Sequence, residues 1–342
     1  MFFLRMAITV FLLSFYGTAL AAAFPLPDAI KALYLGSDTM FSKAKIAEIE
    51  RILETTSANG IVIDVKDSNA LSPEYIKELV RRFKGKGVYT IARIVVFQDS
   101  YFAKKHPEIA VKTGAGSFWY SGRAVWQRYW LDPASSLAQD YNIEVALRAV
   151  DAGFDEIQFD YIRFPTDGNM KDIRYPVYNE ERQTKGAVME EFFKKIKSRL
   201  KARNPNILIS IDLFGEVFVY GLERGIGQHL ADVAKYFDVL SPMAYPSHYQ
   251  CKEFGVQDPT AHPYLVYQKT LANGLKHLAG KNVIIRPWIQ DFSITSIYGC
   301  GPQVAYTTER VYEQIRAGQD LGIKGFMLWN VRSNFSVGVF SK

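Results

Sequence analysis

The segment Phe154 to Pro165, F-D-E-I-Q-F-D-Y-I-R-F-P, carries Asp160 at the far end of an apolar alternating run, where Gln158 and Asp160 share one face. A second carboxylate, Asp212, closes a similar run from Ile207 to Phe214. If both runs are neighbouring parallel strands, Asp160 and Asp212 sit across a small gap. That is the arrangement hydrolysis of a glycosidic bond needs, with one protonated acid for the leaving oxygen and one carboxylate to attack or to activate water. Crowding of like charges raises one of the two pKa values, while a cation such as Arg93 or Lys66 holds the other low. Glu216, four residues past Asp212, and Asp291 are rivals for the acid role. The alternative for Asp160 is a structural ion pair with Arg163 or Arg93.

Eight apolar runs alternate with amphipathic segments along the chain. They are Ile30 to Leu35, Ile61 to Asp67, Val88 to Phe97, Phe154 to Phe164, Ile207 to Phe214, Phe237 to Tyr245, Val283 to Gln290 and Gly325 to Asn330. Helices are expected from about Ser42 to Thr55, from the Ser72-Pro73 cap signal, from Ala134 to Ala152 and from Glu180 to Arg203. Pro165, which has no N–H, is expected to stop the fourth strand. Strict alternation predicts an α/β fold, a (β/α)8 TIM barrel with its chemistry at the C-terminal ends of the strands. An open doubly wound sheet would carry a Gly-rich phosphate turn after its first strand, and Leu35-Gly36-Ser37-Asp38 is not one.

A period of two then predicts which polar side chains look into the barrel mouth. They are Asp64 and Lys66, Arg93, Gln158 and Asp160, Asp212, Tyr245, Trp288 and Gln290, and Trp329 or Asn330; Glu216 follows in the loop region after Asp212. Aromatic rings support a sugar ligand, since flat apolar faces with polar edges suit pyranose rings. Tyr245, Trp288 and Trp329 lie at strand ends, and Trp119, Tyr120, Trp126, Tyr129 and Trp130 crowd the loop after the third strand, where packing is the competing use.

Residues 1–23 read as a secretory signal: Arg5, an apolar core from Met6 to Tyr16, then Ala19-Leu20-Ala21 or Ala21-Ala22-Ala23 for cleavage. The apolar core is too short to span a bilayer, so an exported chain, periplasmic or secreted, is expected, with no stable membrane insertion after cleavage. Residues 24–342 then form a single domain. Losing Arg5 takes the formal charge from +6 to +5, with the positive residues dispersed, which argues against nucleic acid as partner. Cys251 and Cys300 lie in loop-like segments and are expected to pair in an oxidising compartment. The five histidines show no ligand spacing, so no metal is expected, and nothing implies a cofactor.

The segments Ile61 to Asp67, Ile91 to Phe97, Lys105-His106-Pro107-Glu108, Trp130-Leu131-Asp132-Pro133 and Phe154 to Pro165 together resemble a bacterial glycoside-hydrolase TIM-barrel family long filed as a domain of unknown function. The resemblance runs from Leu33 to about Asn334 and implies the barrel and the hydrolase class. A more distant similarity is to family 18 chitinases, whose fourth strand ends D-x-x-D-x-D-x-E and whose sixth carries Met-x-Tyr. Asp155, Gln158, Asp160 and Ile162 stand at the four positions here, Met243-Ala244-Tyr245 matches the sixth strand, and Trp329 matches the eighth. The position of the family 18 proton donor holds Ile162, so acid catalysis must come from another group.

The expected function is hydrolysis of glycosidic bonds in an extracellular or cell-envelope polysaccharide by Asp160 and Asp212. Asp64, Lys66, Arg93, Gln158, Arg163, Glu216, Tyr245, Trp288, Gln290 and Trp329 are expected to bind the substrate. The alternatives are a non-catalytic carbohydrate-binding protein on the same barrel and a structural envelope protein.

Overall fold

A computed structural model describes residues 29–66, 72–121, 128–222 and 225–341. Residues 1–23, read from the sequence as a secretory signal, lie outside the described residues, as do Asp67 and Trp126.

The barrel strands are Lys31–Leu35, Gly60–Asp64, Tyr89–Val95, Glu156–Asp160, Leu208–Phe214, Val239–Met243, a seventh in two pieces (Ile284–Ile285 and Trp288–Gln290), and Phe326–Trp329. Each pairs in parallel with its neighbours, and the eighth returns to the first through Lys31↔Phe326 and Leu33↔Leu328. The sheet is therefore a closed (β/α)8 TIM barrel with helices outside it. The seventh strand breaks at Arg286-Pro287 because Pro287 has no N–H for the ladder, although its carbonyl still accepts from Met327 at 3.0 Å.

The helices start where local chemistry favours it. Ser72 accepts from the Tyr75 N–H with Pro73 in the first turn, and Ser135 and Thr184 accept from Ala138 and Ala187 in the same way. Gly153 ends the fourth-strand approach helix at φ 92°, a left-handed cap that glycine reaches without strain.

Two apolar clusters result. The larger fills the space between barrel and helices. The smaller lies within the barrel and comprises Ile30, Ala32, Tyr34, Val62, Ile91, Tyr245, Trp288 and Met327. Polar layers cross this interior. At the bottom, Arg286 donates to both oxygens of Glu156 at 2.9 and 2.8 Å and Tyr89 donates to Glu156 at 3.0 Å. Above it, Gln158 donates to Ser241 at 3.3 Å. The top layer holds the charged residues of the mouth.

Two details differ from the sequence reading. The fourth strand ends at Asp160, well before Pro165, because Tyr161 turns into the left-handed region at φ 50°. The aromatic loop after the third strand is largely packing: Trp119 and Trp130 are buried, donating to the Asn169 carbonyl at 2.9 Å and Ser121 Oγ at 2.8 Å.

Cys251 and Cys300 form the expected disulfide, joining the loop after the sixth strand to the loop after the seventh across 49 residues of sequence. Loop closure on that scale restricts the unfolded chain, so Cys251→Ser is expected to lower stability by about 2–4 kcal/mol. Urea midpoints of the variant and of the reduced wild type should fall together; an unchanged midpoint would show that the tie constrains only a loop already ordered without it.

Candidate active site at the barrel mouth

Arg93 is the hub of the mouth. Its position on the third strand sets it beside Asp64 on the second and Gln158 on the fourth, with Val95 opposite Asp160. Its guanidinium donates from Nη1 to Asp64 Oδ1 at 2.7 Å and from Nη2 to Asp160 Oδ2 at 2.5 Å, and Nε lies 3.8 Å from Asp212 Oδ2. The other oxygen of Asp64 accepts from the Tyr34 hydroxyl at 2.5 Å. Burial works against the charge on Arg93, but Asp64 and Asp160 outweigh it and hold its pKa well above the ordinary arginine value.

Asp160 is held from its own backbone as well. Tyr161 N–H donates to Asp160 Oδ1 at 2.6 Å, and Tyr161 itself sits at a positive φ. A bulky residue held in that region stores strain, and such strain collects at functional sites. The Asp160 main-chain carbonyl still accepts from Val96 N–H at 2.8 Å, so the strand ladder runs to its last residue.

Asp212 is the most deeply buried carboxyl of the mouth. Its side chain has 0% exposure, Oδ1 accepts from Trp288 Nε1 at 2.7 Å, and Oδ2 has no hydrogen-bond partner among the described residues. Burial raises its pKa well above the usual carboxylate range. The Asp160 charge adds to the rise, and Arg93 and the Trp288 hydrogen bond offset part of it. One guanidinium facing three carboxyl groups cannot offset the desolvation of all of them, which favours the neutral form of the most buried one.

Two cavities open beside Arg93. One, of about 590 Å³, is lined by Asp160, Arg163, Glu216, Tyr245, Trp288 and Trp329 among others; the second, of about 470 Å³, by Tyr34, Asp64, Lys66, Asp99 and Tyr101. Arg93, Gln98 and Tyr161 line both and form the ridge between them. On the aromatic wall of the larger cavity the Tyr245 and Trp329 ring centroids lie 5.9 Å apart, and Phe292 packs against Trp329 at 4.8 Å. His248 also lines it, and burial pulls its pKa down to about 4, so the imidazole is neutral at pH 7.

Most of the residues singled out in the sequence therefore meet at one place, but Asp64 and Lys66 open only onto the smaller cavity, and three others open onto neither. Asp212 is sealed behind Trp288. Gln158 lies deeper in the barrel. Gln290 turns to the loops, accepting from Ser247 N–H and Oγ at 3.2 and 2.9 Å and donating to the Phe292 carbonyl at 3.1 Å. Lys66 lines the smaller cavity, with Nζ donating to the carbonyls of Val95 and Val96 at 2.6 and 2.7 Å and to Asn142 at 2.7 Å, and paired with Asp99 at 3.0 Å. Asp291 anchors a loop by accepting from the Ser336 N–H and hydroxyl, both at 2.8 Å. Sequence reasoning missed Tyr34, Tyr161 and the Glu156–Arg286 pair. Tyr34 is the penultimate residue of the first strand, and Glu156 shares the parity of Gln158 and Asp160, so both left a trace in the pattern. The turn at Tyr161 left none.

No curated protein matches the chain. Among solved structures, a hypothetical protein from Ruminiclostridium thermocellum is 30% identical over 53% of this chain and 96% of its own, at a TM-score of 0.44. The β-galactosidase of Marinomonas ef1 has a TM-score of 0.59 at 11% identity, covering 88% of this chain and 54% of that one, so this chain spans about half the enzyme's length. The spore cortex-lytic enzyme SleL of Bacillus megaterium has a TM-score of 0.54 at 10% identity, covering 91% and 72%. At such identities the likeness is one of fold. Residues 32–335 match the family described as "putative glycosyl hydrolase domain", and the chain belongs to that glycoside-hydrolase family.

Proposed function

We propose that this protein is an exported glycosidase that cleaves a polysaccharide outside the cytoplasm or in the cell envelope, with Asp160 as its principal catalytic carboxylate. The observation that carries the reading is that Asp160 and Glu216 line one cavity walled by Tyr245, Trp288 and Trp329. Rings of that kind give a sugar its apolar platform, and two carboxyl groups on one cavity supply the acid and the base.

The sequence favours Asp212 as the acid, but a group without exposed surface cannot reach a leaving oxygen. Glu216, half-buried in the first turn of the short helix Gly215–Tyr220, is the better placed donor. Asp212 then acts as a positioning residue: it holds the Trp288 indole, and its raised pKa disfavours a third full negative charge beside Arg93. The expected result is that Glu216→Gln lowers kcat on a polysaccharide by about 10²–10⁴-fold, and far less on nitrophenyl glycosides whose leaving group needs no proton. If Glu216→Gln retains full activity on both while Asp212→Asn shows that leaving-group dependence, the acid is Asp212.

A second reading is favoured by one observation, that both oxygens of Asp160 already accept hydrogen bonds, from Arg93 and from Tyr161. A barrel that binds sugars without cleaving them would show saturable oligosaccharide binding and no new reducing ends.

A further inference from the structure

Arg163 differs from the other buried arginines of the barrel. Arg93 meets two carboxylates directly and Arg286 meets Glu156. Arg163 is just as buried, at 5% exposure, yet among the described residues no carboxylate lies within ion-pair distance of it. Its Nη1 donates to the Phe164 carbonyl at 3.0 Å and to Thr166 Oγ1 at 3.4 Å. A guanidinium has five N–H groups in a planar fork, and among the described residues no acceptor meets Nε or Nη2.

The plane of that fork is fixed by aromatic rings. Its Cζ lies 4.1 Å from the Phe214 ring centroid, 5.1 Å from Trp130 and 5.3 Å from Tyr161. Such stacking offsets part of the desolvation of a buried cation and leaves its edge available. Burial pulls the Arg163 pKa below the ordinary arginine value; Tyr161, Asp167 and Asp160 oppose that fall. Asp160 is committed to Arg93 and to Tyr161 N–H, and Asp167 is exposed at the rim. Arg163 lines the larger cavity beside Asp160 and Glu216.

We infer that Arg163 is the receptor for a carboxylate carried by the sugar, so that the substrate is an acidic, uronate-type polysaccharide. A carboxylate matches a guanidinium edge oxygen for nitrogen and forms paired charge-assisted hydrogen bonds, which neither a hydroxyl nor a neutral amide reproduces. The inference rests on the glycosidase reading for the location of the site and names the class of substrate that reading leaves open. The carboxylates of Asp160 and Asp167 already on the cavity restrict where a further negative charge can settle, which makes the Arg163 edge the place for it.

The test is affinity electrophoresis of the purified protein through gels containing polygalacturonate, alginate or hyaluronan, and through gels of the same polymers after their carboxylates are reduced to primary alcohols. Runs at physiological ionic strength or above screen attraction by surface charge. At least one acidic polymer should retard the wild type, with binding about tenfold weaker after carboxyl reduction and about tenfold weaker again for Arg163→Gln on the native polymer, and with partial recovery in Arg163→Lys. Equal retardation by native and reduced polymer, unchanged retardation of a folded Arg163→Gln, or no retardation by any acidic polymer overturns the inference. The comparison of polymers on the wild type decides the matter even if Arg163→Gln does not fold. Reducing-end assays on the same polymers separate the two readings. Charge-dependent binding without cleavage removes the hydrolase and keeps the receptor, and cleavage indifferent to carboxyl reduction does the reverse.

Discussion

Asp160→Asn is expected to lower hydrolysis by about 10³-fold or more while leaving the protein folded, because the amide keeps the carboxylate's shape but can neither attack an anomeric carbon nor take up a proton. The amide oxygen can still accept from Arg93 or from Tyr161 N–H, so the strained turn at Tyr161 keeps a partner. The loss should fall on kcat, with saturation by oligosaccharide near the wild-type concentration, since the aromatic wall of Tyr245, Trp288 and Trp329 is untouched. In the truncated variant Asp160→Ala, which vacates the position, a small anion such as azide should enter and restore turnover, yielding a glycosyl azide, whether Asp160 attacks the sugar or activates water. Full activity in Asp160→Asn would remove Asp160 from the chemistry and leave it as an ion-pair partner of Arg93.

How far this site could be read from the chain depends on what each feature is made of. The eight-unit barrel was legible because burial on both faces leaves apolar runs at regular intervals, and because a polar residue in such a run has few places to go. Asp64, Arg93 and Asp160 come together as the period of two requires. The same parity carries Glu156, whose partner Arg286 sits before a proline that interrupts the seventh strand, a position where pattern alone loses the face. Depth was not legible. Asp212 and Glu216 lie four residues apart, and only the packing of Trp288 over one and the start of a helix at the other decide which faces the cavity. Gln290 shares the parity of Trp288, yet the loop hydrogen bonds from Ser247 draw it away from the opening. The aromatic crowd after the third strand was ambiguous for a related reason: a ring that stacks on sugar and one that fills a loop core have the same composition, and Trp119 and Trp130 are of the second kind.

Arg93→Met should be the most destabilising single change at the mouth, costing about 3–5 kcal/mol at pH 7, because it leaves Asp64 and Asp160 buried without their countercharge beside Asp212. Methionine fills comparable space, so a cavity is a minor part of the loss. The cost should shrink on acidification, since carboxyl groups that are protonated before unfolding no longer need a cation. Asp212 provides an internal control with its own sign. Its folded pKa is raised, so the folded state binds more protons than the unfolded state once pH passes the unfolded value of about 3.9, and its contribution to stability falls as pH rises through that window. Asp212→Asn removes that dependence, and its stability relative to wild type should therefore improve from pH 4 toward pH 7, less the constant effect of altering the Trp288 hydrogen bond. Urea unfolding of wild type, Arg93→Met and Asp212→Asn across that range tests both slopes at once. Parallel curves for wild type and Arg93→Met would mean that the guanidinium does not hold the carboxylates in place. A flat difference between wild type and Asp212→Asn would mean that Asp212 is ionised in the fold, in which case Arg93 balances three charges and the mouth has no neutral acid behind it.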